Sequence, residues 1–285
     1  MPFRFLSVTT CCTRHVVFYH HPLRIHNGKR ILFGMTLHEF FQQHPKAAVA
    51  FSGGVDSSYL LWAAKEADAD VKAYYVNAQF QPDFELADAK EVAAYAHVPM
   101  RVLPVDVLSV PHVAENPTDR CYYCKQAIFG TILAAAKEDG YTDILDGTNA
   151  SDDATDRPGM RALAEMKVYS PLRICGLTKD EIRRLSKEAG LKTWDKPAYA
   201  CLATRIPTGM RITEEALTRT EQAESALFTM GFSDFRVRTK EDGSALVQVT
   251  AAQMPMAESM WADIVRELSP HYTLVALDPH TRNRS

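Results

Sequence analysis

Long hydrophobic runs are missing from this chain: nothing in its 285 residues approaches the ~20 consecutive apolar positions that a bilayer-crossing helix needs. Residues 1–29 mix basic and scattered apolar positions, with no compact apolar stretch ahead of a small-residue cleavage site. No secretory leader is read there, and the cytoplasm is the expected location. Positive charge is not in excess either. Lys and Arg total 32 against 35 Asp and Glu, a net charge of -3, so no surplus of cations is present to displace counterions from phosphates. A nucleic-acid partner is therefore not expected. No internal repeat or low-complexity tract occurs. With 46% hydrophobic residues, the chain is long enough to bury a substantial core and to form two domains.

What is present is concentrated in one stretch. Residues 47–51 are an apolar run short enough for a buried strand, followed by Ser52-Gly53-Gly54-Val55-Asp56-Ser57-Ser58 and then a helical pattern. Gly53 and Gly54 can take backbone angles closed to other residues, so consecutive N–H groups converge on one anion while the next helix turns its positive end to the same spot. Ser52, Ser57 and Ser58 add hydroxyl donors. The Gly-Lys-Ser/Thr ending of a Walker-type loop is lacking, and Asp56 stands there instead; a carboxylate beside phosphates makes sense with Mg²⁺ between them. The stretch resembles the Ser-Gly-Gly-x-Asp-Ser signature of the PP-loop ATP pyrophosphatases, which cleave ATP between its α and β phosphates. That resemblance implies ATP and Mg²⁺ as ligands of residues 52–58.

From Lys46 onward the pattern alternates. Strands are predicted at 47–51, 71–76, 101–105 and 143–146, separated by helices at 57–67, 85–95 and 125–138, the rhythm of an α/β fold with a parallel sheet and helices on both faces. Ligands of such sheets sit at the carboxyl ends of strands. The 52–58 loop, Asn77 and the turn Asp146-Gly147-Thr148-Asn149 fall there. In relatives of this fold such a Gly-Thr turn lies beside the nucleotide, although Gly147 and Asn149 are equally good turn formers. A PP-loop domain is expected over 35–190, opened by a helix after Thr36, with residues 1–34 as an extension without clear periodicity. Thr178-Lys179-Asp180-Glu181 reads as a capping box whose charges form a solvated face. A smaller α+β unit is expected over 191–285: an irregular loop to about residue 212, a helix capped by Thr213 to about Met230, strands at 235–238 and 245–249, a helix at 254–268 and a strand at 272–277.

Six cysteines need sorting. Cys11 and Cys12 are adjacent, with His15, His20 and His21 nearby, and lack ligand spacing. Cys175 has no partner at useful spacing. Arg120-Cys121-Tyr122-Tyr123-Cys124-Lys125 places two thiols within reach of one metal ion or of one another, and Cys201 lies in the irregular loop. Neighbouring Arg120, Lys125 and Arg205 are expected to favour thiolate. A lone Cys-x-x-Cys serves a redox couple, half a zinc site or nothing at all; no second pair completes a four-ligand zinc site, whereas three thiolates suit an iron–sulfur cluster with one open position.

Taken in order, Arg-Cys-x-x-Cys-Lys, Asp146-Gly147-Thr148-Asn149 with Arg157-Pro158-Gly159, Ser170-Pro171-Leu172, Trp194-Asp195-Lys196-Pro197-Ala198, Ala200-Cys201-Leu202-Ala203 and Arg205-Ile206-Pro207 resemble the LarE family of ATP-dependent sulfur transferases. The match runs from about Met35 to the end. It implies adenylation of a carboxylate of pyridinium-3,5-biscarboxylic acid mononucleotide with release of pyrophosphate, then thiolation, in nickel-pincer nucleotide biosynthesis. Asp56 would hold Mg²⁺ and Cys201 would act in sulfur delivery. Some members sacrifice the cysteine equivalent to Cys201; others resemble this chain at Cys121, Cys124 and Cys201 and are thought to hold a [4Fe-4S] cluster. The resemblance also implies an oligomer, and leaves the sulfur donor unknown.

Arg236 and Arg238 alternate on a predicted strand, so both face one way, a sound arrangement for gripping the phosphate of the mononucleotide substrate. They match an arginine pair the family places near its substrate, as does Arg205; solvated strand arginines account for the pair nearly as well. Glu221 and Glu224 are three apart on one helix and could bind a cation, Glu224 matching an acidic family position; a solvent-facing helix is the safer reading of both. Rival readings are tRNA thiolation, amidation as in NAD synthesis, and a non-catalytic ATP and metal sensor.

Overall fold

A computed structural model describes residues 35–152 and 158–282, together with the backbone of two short strands, β1 (Ile25–His26) and β2 (Lys29–Arg30), which pair antiparallel. These two belong to one compact unit, 1–34, and everything from Met35 onward to a second. Cys11, Cys12, His15, His20, His21 and Arg157 lie outside the described residues.

The second unit opens where its cap residue predicts. Thr36 accepts a hydrogen bond from the Glu39 amide and Glu39 reaches back to Thr36, a complete capping box on α1 (Leu37–Gln43). A four-stranded sheet follows, ordered β5-β4-β3-β6 and parallel throughout: β3 (Lys46–Ala50), β4 (Asp70–Ala78), β5 (Met100–Val105) and β6 (Asp143–Leu145). The crossovers are α2 (Val55–Glu66), α3 (Asp83–Tyr95) and α4 (Arg120–Glu138). Alternation along the strands separates two cores. Ala47, Val49, Ala73 and Tyr75 pack with Leu60 and Leu61 of α2 and Val92 of α3, whereas Ala48, Tyr74 and Val76 pack with Phe129, Ile132 and Ala136 of α4. Fully buried leucines such as Leu60 and Leu61 contribute about 2 kcal/mol each from area removed from water.

Two differences from the predicted elements matter for function. The strand predicted to end at 76 continues to Ala78, because Asn77 and Ala78 still pair with Pro104 and Val105. The helix predicted from 125 begins at Arg120, so Cys121 and Cys124 are helical residues rather than part of a preceding loop. Beyond β6 come α5 (Pro158–Glu165), α6 (Pro171–Ile174) and α7 (Lys179–Glu188), the last opened by the predicted Thr178–Glu181 capping box.

The irregular loop holds only short 3₁₀ turns at Lys192–Asp195 and Leu202–Arg205. Its Leu202, Ala203 and Ile206 join the core on the α4 side of the parallel sheet, as does Leu217 of α8 (Glu214–Thr229). Further along α8 the partners change: Ala223 and Leu227 belong to a third core under a small mixed sheet, β7 (Phe235–Thr239), β8 (Ala245–Val249) and β9 (Val275–Leu277). In it β7 and β8 run antiparallel, β8 and β9 parallel. The helix predicted over 254–268 turns at Met260, giving α9 (Met254–Ser259) and α10 (Trp261–Leu268). Helix α8 thus belongs to both halves, and it carries the Cys201 loop's buried partners.

Candidate active site

The turn between β3 and α2 is built so that only glycine fits at its tightest point. Gly53 has φ +71°, and a Cβ there would lie 3.1 Å from the Cα of Ala89 on α3. Gly54 caps α2 without any side-chain hydrogen bond to the first-turn amides, so those N–H groups face the cavity end with the helix's positive pole. Ser52 and Ser57 hydroxyls meet at 3.1 Å, the Gly54 amide donates to Ser52 Oγ, and Ser57 Oγ donates to the Gly54 carbonyl. Ser58 is fully buried and its hydroxyl has no partner. Val55 packs below the turn. Gly147 is needed for close approach, since a Cβ on it would come 3.0 Å from the Ser57 amide nitrogen. Thr148 donates to Asp146. Asn77 is exposed within β4 and does not line the cavity, so it is not brought to this site.

The cavity has a volume of about 390 Å³ and is bordered by Ser52, Gly54, Val55 and Asp56 at the turn and by Tyr199 and Cys201 of the irregular loop. Three lysines also line it: Lys125, Lys179 and Lys196. Lys179 sits in the first turn of α7, and its Nζ donates to Asp56 Oδ2 at 2.6 Å. This corrects the reading of that turn as a solvated face. Lys196 bridges Asp88 Oδ2 (2.6 Å) and the Gly53 carbonyl (3.5 Å), tying the loop motif Trp-Asp-Lys-Pro to the phosphate turn. Burial raises the Asp56 carboxyl from its ordinary value against the pull of Lys179, and the other oxygen, Oδ1, is buried without a partner. This orphaned carboxylate oxygen beside a glycine turn is a donor that would suit a divalent cation.

Cys121 and Cys124 occupy the first two turns of α4, Cys121 exposed and Cys124 half-buried. Arg120 is buried beneath them: its guanidinium donates to Asn116 Oδ1 (2.8 Å), to the Ala203 carbonyl (3.1 Å) and to Cys121 Sγ (3.6 Å). One cation therefore joins the start of α4 to the Cys201 loop. Cys121 acts electrostatically on both Cys124 and Cys201, and Cys201 acts on Cys124. The expectation that nearby cations favour thiolate is overturned for two of them. Burial pushes Cys124 up to about 12, with Cys201 and Cys121 adding to the rise, and raises Cys201 too, with Cys121 adding to it. Thiolates whose charges oppose one another are donors that a bound metal would relieve. Among the described residues no group of three His, Cys, Asp or Glu is placed to hold a metal ion.

Behind Cys201 lies a buried ion pair. Arg205 Nε and Nη2 donate to the two oxygens of Glu224 at 2.7 and 2.9 Å, the Val237 amide donates to Oε1, and the Tyr199 hydroxyl donates to Oε2. Both side chains are within 1% of full burial. Glu224 is therefore neither solvent-facing nor free to bind a cation, whereas Glu221 caps α3 by accepting from the Asp83 amide. Arg236 donates to the carbonyls of Phe235 and Ala198, and Arg238 to Gln248 and the Thr204 carbonyl. Both strand arginines thus reach the loop that carries Cys201.

A glycine turn opening a crossover helix of a parallel sheet, with Cys201 on the same cavity, defines a PP-loop ATP-dependent sulfur transferase. The family model described as Queuosine biosynthesis protein QueC matches residues 46–115, which run from β3 past β5. The chain is 35% identical over 209 residues to an uncharacterised protein of Synechocystis, covering 73% of this chain and 78% of the relative. It is 31% identical over 199 residues to pyridinium-3,5-bisthiocarboxylic acid mononucleotide synthase of Lactiplantibacillus plantarum, covering 69% and 72%. An uncharacterised protein of Methanocaldococcus jannaschii is 28% identical, covering 74% and 80%. The chain belongs to the family of the L. plantarum synthase, the LarE family.

Proposed function

We propose that this enzyme adenylates a carboxylate of pyridinium-3,5-biscarboxylic acid mononucleotide and then exchanges the adenylate for sulfur. The observation that carries the reading is the sharing of one cavity by the phosphate turn and Cys201. The substrate carboxylate attacks the α-phosphorus of ATP, the α–β bridging bond breaks, and pyrophosphate leaves on the first-turn amides of α2 with Ser52, Ser57 and Ser58 around it. Lys179 and Lys196 take up charge that develops there. Asp56 would hold Mg²⁺, which neutralises the leaving pyrophosphate. Sulfur then attacks the acyl carbon, a C–S bond replaces the C–O bond to AMP, and a thiocarboxylate results. Cys121, Cys124 and Cys201 would hold a [4Fe-4S] cluster, which supplies a place for an exchangeable sulfide. Arg205, Arg236 and Arg238 each hold a carbonyl of the loop that carries Cys201, and Arg238, the exposed one, would also meet the substrate phosphate.

The test is to add ATP and the dicarboxylate mononucleotide and measure pyrophosphate and thiolated product. Cys201→Ser is expected to keep substrate-dependent pyrophosphate release and lose the thiolated product. Undiminished product would refute the sulfur-delivery role, and absence of pyrophosphate from the wild type would refute the whole reading.

A further inference from the structure

A second set of polar atoms lines the same cavity and takes no part in the chemistry above. Tyr75 on β4 is 1% exposed, yet its hydroxyl has no hydrogen-bond partner. Gln81, in the connection to α3, buries Oε1 equally unpartnered. Glu85, in the first turn of α3, shares the lining, and its charge is among the influences that hold the Tyr75 hydroxyl protonated. Burial pushes the Glu85 carboxyl up to about 7 despite Lys196 and Arg205 nearby. Buried polar atoms left without partners are costly, and natural sites keep them where a ligand completes the bonding.

Donor and acceptor counting selects the ligand group. Gln81 Oε1 only accepts, an ionised Glu85 only accepts, and the Tyr75 hydroxyl both donates and accepts. Phosphate and carboxylate groups offer no proton and would meet like charge. The base of a nucleotide suits another part of the cavity, where Ala50, Val76, Ile128, Phe129 and Ile132 make an apolar strip. Adjacent sugar hydroxyls fit, each bringing one proton to give and lone pairs to receive.

We propose that Tyr75, Gln81 and Glu85 form a subsite that reads the ribose cis-diol of a nucleotide and selects against deoxyribose. The proposal rests on nucleotides occupying this cavity, and the diol is supplied by ATP or by the mononucleotide. The full chain is assayed for pyrophosphate release with ATP, 2′-deoxy-ATP and 3′-deoxy-ATP, and separately with the ribose and 2′-deoxyribose forms of the dicarboxylate mononucleotide. Binding of the same nucleotides is measured by calorimetry. The wild type is expected to favour ribose by roughly tenfold or more in one arm, which identifies the source of the diol. Tyr75→Phe and Glu85→Gln are each expected to lower that preference several-fold by weakening the ribose form while leaving the deoxy form nearly unchanged. Tyr75→Phe removes one oxygen that has no partner in the fold, so it decides the matter should Glu85→Gln misfold. An unaltered preference in both arms, with water alone filling the subsite, overturns the proposal, as does an equal loss toward ribose and deoxyribose. Failure of pyrophosphate release in the wild type would sink the sulfur-transfer reading, while the binding comparison still decides this one.

Discussion

Glu224→Gln tests the buried frame behind Cys201 with almost no change in shape. In the wild type the carboxylate accepts from Arg205 Nε and Nη2, the Val237 amide and the Tyr199 hydroxyl, and neither it nor Arg205 has appreciable contact with water. The amide leaves the Arg205 charge uncompensated and sets an NH₂ group against donors. Breaking a buried pair from one side costs about 3–5 kcal/mol. For a folded unit of this size that is a fall in melting temperature of roughly 6–20 °C. Thermal unfolding followed by circular dichroism reads it directly. The double replacement Arg205→Met with Glu224→Leu removes both charges and is expected to melt higher than Glu224→Gln alone. A Glu224→Gln protein that melts within about 2 °C of wild type would refute the argument, because it would mean that water reaches the pair and screens it.

Other outcomes follow from the same geometry. Asp56→Asn is expected to reduce pyrophosphate release by roughly a hundredfold or more, with folding intact, since an unpartnered carboxylate oxygen is lost at the phosphate turn; activity within tenfold of wild type would remove Asp56 from the metal site. Gly147→Ala pushes a methyl against the Ser57 amide, so KM for ATP is expected to rise several-fold with little change in KM for the mononucleotide. Glu85 loses its proton near 4.5 when unfolded and near 7 when folded. The folded state therefore binds more protons across that window, and stability is fullest below it and declines as pH rises through it. Glu85→Gln is expected to melt higher than wild type at pH 8 by a few degrees, the difference shrinking toward pH 4; a gap that is constant with pH would contradict the assignment.

The phosphate turn was legible in the sequence because its chemistry is local: glycines, hydroxyls and an acid within seven positions meet the start of a helix. The parallel sheet was legible for a similar reason, since buried strands are short and apolar. What escaped is what folding brings from afar. Lys179 read as the surface of a capping box and becomes the partner of Asp56 only because α7 packs beside α2. Glu224 read as part of a solvent-facing helix or a cation ligand, and nothing near it in sequence announces Arg205 or the Val237 amide. The start of α4 was misplaced because Tyr122, Tyr123 and two cysteines carry no strong helical preference; burial of Arg120 against Asn116 and Ala203 fixes the helix instead. Asn77 was put at a strand's end by hydropathy, which does not see the ladder continuing to Ala78.

The guanidinium of Arg120 works as a rivet. Because it holds a carbonyl of the Cys201 loop and a side chain just ahead of α4 at once, the loop cannot swing outward without also unseating the helix that presents Cys121 and Cys124. Reagents and reductants approaching from solvent therefore meet Cys121 first, and Cys201 is reached by way of the cavity it lines. A filled cavity would shield that last sulfur from alkylation and leave the outermost one open to attack.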